Sequence, residues 1–144
     1  MSIFSTWQSW ALLSAVFAAL TAIFAKIGIE NVNSDFATFV RTIVILVAAA
    51  LMVTITSSWQ SPASVSGRSW LFLILSGLAT GLSWLCYFRA LALGNAAQVA
   101  PIDKLSVVLV AIFSTLLLGE KLSAVNWVGV ALIGAGAVLV AVQL

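Results

Sequence analysis

Residues 98–123 read QVAPIDKLSVVLVAIFSTLLLGEKLS, and the fold turns on how this stretch is understood. The apolar run from Leu105 to Leu118 is about 14 residues, whereas a helix needs about 20 to cross a hydrocarbon core about 30 Å thick. A crossing helix must therefore take in Asp103 and Lys104, or thin the bilayer around itself. Two readings of Pro101 are open. Pro101 can be the first helical residue, with Asp103 in the first turn, where the helix dipole welcomes an acid, and Lys104 snorkelling to the headgroups. Alternatively, Pro101 breaks the helix inside the membrane, and the freed backbone groups line a polar cavity. We favour the second, because a charge at mid-bilayer costs about 2.5–3.5 kcal/mol unless it is paired or faces water.

The whole chain supports lipid as the surrounding medium. Of 144 residues, 63% are hydrophobic and 7% charged, with six basic and four acidic side chains. A soluble domain carries about 25% charged residues to cover its surface. The mean hydropathy is +1.22 and the pI near 9.1. The six basic residues are scattered rather than clustered, which argues against nucleic acid as a partner. With no His and the single Cys86, intrachain disulfides and His/Cys metal clusters are excluded, and no cofactor is expected. Paired carboxylates and Ser/His constellations are also missing, so we do not expect an enzyme. The N-terminal stretch has no basic region ahead of its apolar core and is followed by further apolar spans. It reads as a retained first helix rather than a cleaved signal peptide.

Turn and charged residues divide the chain into five apolar spans, at about 7–26, 35–56, 69–89, 99–118 and 125–143. Ser34 is the expected N-cap of the second. Continuous apolar runs without period-two alternation predict helices rather than barrel strands. The fold class is thus all-α integral membrane, a single domain of five transmembrane helices. An odd number of spans puts the termini on opposite faces. Trp7, Trp10, Trp59, Trp70 and Trp127 fall near the N-terminal face, forming an interfacial belt. Lys26, Arg41, Arg89 and Lys104 fall toward the other face, against Arg68 and Lys121 near the first. The bias favours a cytoplasmic location for that second face, but those cations lie mostly inside spans, where the rule counts weakly. Insertion in both orientations stays open.

Lys26 and Arg89 sit at span ends, where snorkelling and function compete as explanations. A helix starting near Ser34 puts Arg41 two turns inside, which favours a functional or bundle-facing role. Asp103 is the one carboxylate expected well inside a span, with Glu30 and Asp35 assigned to the adjacent linker and Arg89 a potential partner for Asp103. The excess of cations over acids there suits an anionic or zwitterionic ligand. Tyr87 and Trp84 in the third span are packing residues or, beside Arg89, stacking partners for a substrate. Ser14, Ala18, Ala22 and Lys26 recur every four residues in the first span. Gly77 and Gly81 in the third, and Gly129 and Gly136 in the fifth, are candidate helix-packing or dimer contacts.

Residues 87–140, YFRALALGNAAQVAPIDKLSVVLVAIFSTLLLGEKLSAVNWVGVALIGAGAVLV, resemble the second part of the EamA domain of the drug/metabolite transporter superfamily. The shared features are Tyr87 to Leu91, the small-residue linker Ala96 to Ala100, Pro101, the turn Gly119–Glu120, and the glycines Gly129, Gly134 and Gly136. Residues 17–42, FAALTAIFAKIGIENVNSDFATFVRT, match more loosely, with Arg41 at the family's arginine and Leu20-Thr21 where the family has Trp-Gly. Relatives usually hold two such five-helix repeats in inverted orientation, and this sequence holds one. The resemblance implies a secondary transporter working by alternating access as a homodimer, antiparallel, with the solute path between subunits. In the more distant small multidrug resistance transporters a Glu in the first span exchanges cations for protons. The first span here has no acid. We expect an integral protein of a prokaryotic plasma (inner) membrane that carries a small polar, anionic or zwitterionic metabolite. Asp103 and Lys104, with Arg41, Lys26, Arg89 and Tyr87, are the candidate contacts for solute or coupling ion. The alternative is a non-transporting accessory or assembly subunit of a membrane complex.

Overall fold

The computed structural model describes residues 6–142, and these are helical throughout apart from the connections. Six helices make five spans: α1 (Trp7–Gly28), α2 (Ser34–Ile55), α3 (Gly67–Leu93), α4 (Ala96–Asp103) with α5 (Ser106–Leu117), and α6 (Ala124–Ala141). Each span is long and apolar enough to cross a membrane, α4 and α5 counting together as Ala96–Leu117. The expected end of the fifth span at Gln143 lies outside the described residues. The others begin and end within a few residues of the expected positions, the third running furthest beyond its expected end, to Leu93.

The apolar side chains face outward along every span. Leu12, Phe17, Leu46, Leu82, Leu116 and Leu139 are all exposed, as suits a chain solvated by acyl tails. What is buried is mostly small: Ala22, Ala25, Ala111 and Ala137, with Ile29, Phe88 and Leu91. Without a hydrophobic force between helices in lipid, close backbone approach supplies the packing energy. The stripe in α1 is consistent with this toward its C-terminal end only, since Ala22 is buried and Ala18 half-buried while Ser14 is exposed.

In hydrocarbon the helix ends need explicit partners for their free backbone groups. Asn33, not Ser34, caps α2: its side-chain oxygen accepts from the N–H groups of Asp35 and Phe36 at 2.9 and 3.1 Å. Asn is as good a cap as Ser, and here the carbonyl reaches both donors. Asp35 consequently belongs to the first turn of α2 rather than to the linker. At the other end of α2, Ser58 N–H donates to the Val53 carbonyl and Ser57 N–H to that of Thr54, with Ser57 at φ +50°, a Schellman closure. The Ser123 hydroxyl caps α6 by accepting from Asn126 N–H. Between α5 and α6, Gly119 takes φ +70°, which favours glycine at this turn. The indole of Trp59 donates to the Thr54 hydroxyl and that of Trp70 to the Pro62 carbonyl, both in or beside the long loop.

The chain divides into two compact units. One is α1 up to Lys26 together with the chain from Leu93, and the other is Ile27–Ala92. In the first, α6 packs against both α4 and α5. Its closest glycine contact is at Gly134, where an added Cβ would stand 3.3 Å from Val108 Cγ2. Gly77, Gly81, Gly129 and Gly136 make no such approach, for a Cβ on any of them meets nothing within 4 Å. Within the chain, the glycine of α6 that meets another helix is therefore Gly134, while Gly129 and Gly136 face open space. Val108 is β-branched and stiff, so it has little room to yield. We predict that Gly134→Leu lowers stability by about 1–3 kcal/mol through overpacking, whereas Gly77→Leu, where a Cβ meets nothing within 4 Å, leaves it unchanged. Thermal unfolding of the detergent-solubilised protein measures this, and equal midpoints for the two variants would remove Gly134 as the α5–α6 contact.

Candidate functional site

In the unit formed by α2 and α3, two arginines meet opposite fates. Arg89, one turn before the end of α3, donates from Nε to Asp35 Oδ1 at 2.9 Å and from Nη2 to Asp35 Oδ2 at 2.8 Å. This bidentate fork joins the last part of α3 to the first turn of α2. Each charge also sits at the helix end its sign favours, the acid by an N-terminus and the cation toward a C-terminus. Both side chains stay largely open, Arg89 at 61% and Asp35 at 46% exposure, consistent with a place in the headgroup zone. Arg89 is thus the partner of Asp35 and not of Asp103. The legible signal was that the second span starts, and the third ends, on the same face.

Arg41 lies two turns into α2, half-buried. Its guanidinium carbon stands over the Trp84 ring, 4.1 Å from the centroid, and 5.4 Å from that of Phe88. Trp84 and Phe88, four apart, share one face of α3. Phe88 is buried at 3% exposure and Trp84 half-buried, so this aromatic wall is fixed. Tyr87 packs edge-on against Phe88, with ring centroids 6.4 Å apart. Trp84, a candidate stacking partner for a substrate, stands under the Arg41 guanidinium. Arg41 takes part in neither the Arg89–Asp35 nor the Lys104–Asp103 ion pair. The neighbouring hydroxyls of Thr38 and Thr42 turn back onto the carbonyls of Ser34 and Thr38.

In the other unit, the ammonium of Lys26 donates to the Gly94 carbonyl at 2.8 Å, fastening the last turn of α1 to the segment ahead of α4. Asp103 ends α4, and Lys104 Nζ pairs with its Oδ2 at 3.2 Å. Pro101 lies inside α4, and the interruption falls beyond it, at Lys104 and Leu105. Proline removes one i→i−4 donor and crowds the carbonyl four residues back, and the helix tightens just downstream. Leu105, Val107 and Val108 each donate three residues back, to Ile102, Lys104 and Leu105. Such a short 3-10 segment within a span is a recurrent hinge position. No group of His, Cys, Asp or Glu among the described residues could hold a metal ion.

The Arg89–Asp35 fork yields a prediction of coupling. Arg89→Gln or Asp35→Asn alone strands the opposite charge, so the double variant loses less than the sum of the two. Exchanging them, Asp35→Arg with Arg89→Asp, recovers only part of the loss, because the cation then faces a helix N-terminus. Thermal unfolding of the four proteins provides the cycle, and additive losses would show the two residues to be uncoupled.

The sequence profile of the EamA-like transporter family matches residues 5–142. An "Uncharacterized transporter in cobO 3'region" from Sinorhizobium sp is 66% identical over 137 residues, covering 95% of this chain and 97% of that protein. The human "Solute carrier family 35 member E4" is 35% identical over 104 residues, which are 72% of this chain and 29% of the human protein. No solved structure matches. With five membrane-crossing spans, a profile match along nearly all its length and a bacterial relative of the same extent, the chain belongs to the EamA-like transporter family and is an integral membrane protein.

Proposed function

We propose that this transporter carries a small anionic or zwitterionic metabolite and not a lipophilic cation. One observation carries the reading. Arg41 stands inside a membrane-crossing helix with its charge unanswered by any carboxylate among the described residues, whereas Arg89 and Lys104 have acids and Lys26 has a carbonyl. Cations held in hydrocarbon without a counter-ion mark solute or ion pathways. Asp103, paired with Lys104 beside the tightened turn, is the coupling carboxylate in this reading. Protonation of Asp103 releases Lys104, and solute and proton share that switch. The transporter works by alternating access as an antiparallel homodimer in a prokaryotic inner membrane and catalyses no covalent chemistry. Support for the pairing comes from the tandem repeats of longer relatives that the sequence resembles, and from the Gly129 and Gly136 positions open to space on α6.

Proteoliposome uptake with a panel of labelled amino and organic acids tests the solute class. At least one acid accumulates above protein-free vesicles, and Arg41→Gln lowers its uptake by roughly 10- to 100-fold, the value of one charged hydrogen-bonding pair. Asp103→Asn leaves exchange intact but removes the response to a pH gradient. Full uptake by Arg41→Gln would overturn the anionic reading. Absence of flux for every solute, with assembly lost in glycine variants, would favour the accessory-subunit reading.

Orientation is tested by a single cysteine replacing Ser64 in a Cys86-free background, labelled from each side of intact cells. Labelling from both sides is expected. Labelling from one side only would exclude the antiparallel homodimer.

A further inference from the structure

The contact of Arg41 with Trp84 fixes more than a charge. A guanidinium carries five N–H donors, all in its own plane. With its carbon 4.1 Å from the Trp84 centroid, the guanidinium lies over the ring face, which offers its donors no oxygen. Phe88 bounds the group from a second direction at 5.4 Å. The aromatic wall thus restrains a long side chain in one orientation while consuming none of its hydrogen bonds. No oxygen among the described residues accepts from those donors, and the Thr38 and Thr42 hydroxyls are committed to backbone carbonyls. Arg41 is seven residues beyond the start of α2, roughly 10 Å along the axis at about 1.5 Å per residue, so bulk water is not its neighbour by default. The group is half-buried, and no side-chain nitrogen or oxygen among the described residues is both buried and unpartnered, so its donors are open to an incoming acceptor.

Arg89 shows, in the same pair of helices, what a fork of this kind binds: its Nε and Nη2 grip two oxygens of one carboxylate at 2.9 and 2.8 Å. Arg41 presents the same fork with the second partner missing. We infer that the Nε–Nη edge of Arg41, held against Trp84 and Phe88, is a two-point receptor for an oxyanion, a carboxylate or phosphate group, with Trp84 as its positioning residue. The inference rests on the proposed solute class and names its recognition element. A flat two-oxygen anion satisfies both donors at once, whereas a halide satisfies one. The phosphate of a lipid headgroup shares this chemistry, and the experiment separates the two sources.

The three arginines, Arg41, Arg68 and Arg89, give three Nε–H signals in protein labelled with 15N-arginine, assigned by Arg→Lys variants. Arg89 is an internal reference, since its Nε–H is already bonded to Asp35. In maltoside micelles, which contain no phosphate, titration with acetate and with inorganic phosphate shifts the Arg41 signal saturably, leaves Arg89 in place, and is not reproduced by chloride. Trp84→Leu weakens that binding by about five-fold, and Trp84→Phe restores most of it, as loss and return of a cation–π contact require. A shift seen only on transfer to phosphatidylcholine nanodiscs, and not with either small anion, would keep the oxyanion chemistry but assign it to the headgroup and overturn the solute reading. An Arg41 signal indifferent to all three, or equally responsive to chloride, would overturn the receptor itself. Because this readout needs no flux, failure of transport and failure of the receptor are told apart.

Discussion

Hydrocarbon offers no hydrogen bonds, and this one constraint orders everything else in the chain. Each backbone N–H and C=O must find its partner within the protein, which forces helices across the spans and explicit closures at their ends. The Asn33 cap, the Ser57 closure and the glycine at 119 are three answers to the same requirement. The outward-facing Leu, Val, Ile and Phe side chains contribute solvation by lipid rather than a core. Contact between helices falls to alanines and to Gly134 against Val108.

The same constraint sorts the cations. Lys26 reaches a carbonyl, Arg89 grips Asp35 and Lys104 folds onto Asp103, each finding oxygen close by. Arg41 has aromatic faces instead. Rings attract a cation through their quadrupole, yet they accept nothing from in-plane donors, so they hold an arginine without saturating it. A salt bridge in that place would have neutralised the charge and closed the site. An aromatic wall leaves it without a carboxylate, and the role proposed for Arg41 rests on that difference.

The spans were legible because length and hydropathy alone decide whether a helix can cross a bilayer. Arg41 was legible as an in-span charge because the start of the second span is marked by Asn33, Ser34 and Asp35, whichever of them caps it. Its partners were not. Trp84 stood out as an aromatic inside the third span and Phe88 did not, and their spacing of four does not say which helix they face. Asp35 was assigned to the linker although a cap at either Asn33 or Ser34 puts it in the first turn, the two caps differing by one residue. The glycines of α6 share a helical face only approximately, and sequence spacing could not tell that a residue between the expected pair is the one that meets Val108.

Pro101 raises the remaining mechanical point. Neighbouring residues on a regular helix diverge by about 100°, so Asp103 and Lys104 would point to different faces. In the structure Nζ still comes to 3.2 Å of Oδ2, at the place where regular α-helix stops and donors reach three residues back. The ion pair and the tightened turn occupy the same residues, with Lys104 at φ −71° and ψ −6° and Leu105 at φ −60° and ψ −18°. These are backbone angles close to those of a 3-10 turn. Pro101, three residues before Lys104, withholds the donor that would bond the Ala97 carbonyl, so the turn leading into this irregular segment is itself one hydrogen bond short. Loss of the Asp103 charge removes the tie that holds Lys104 back against its own chain neighbour. The coupling role proposed for Asp103 rests on this coincidence of an ion pair and an irregular turn in one span.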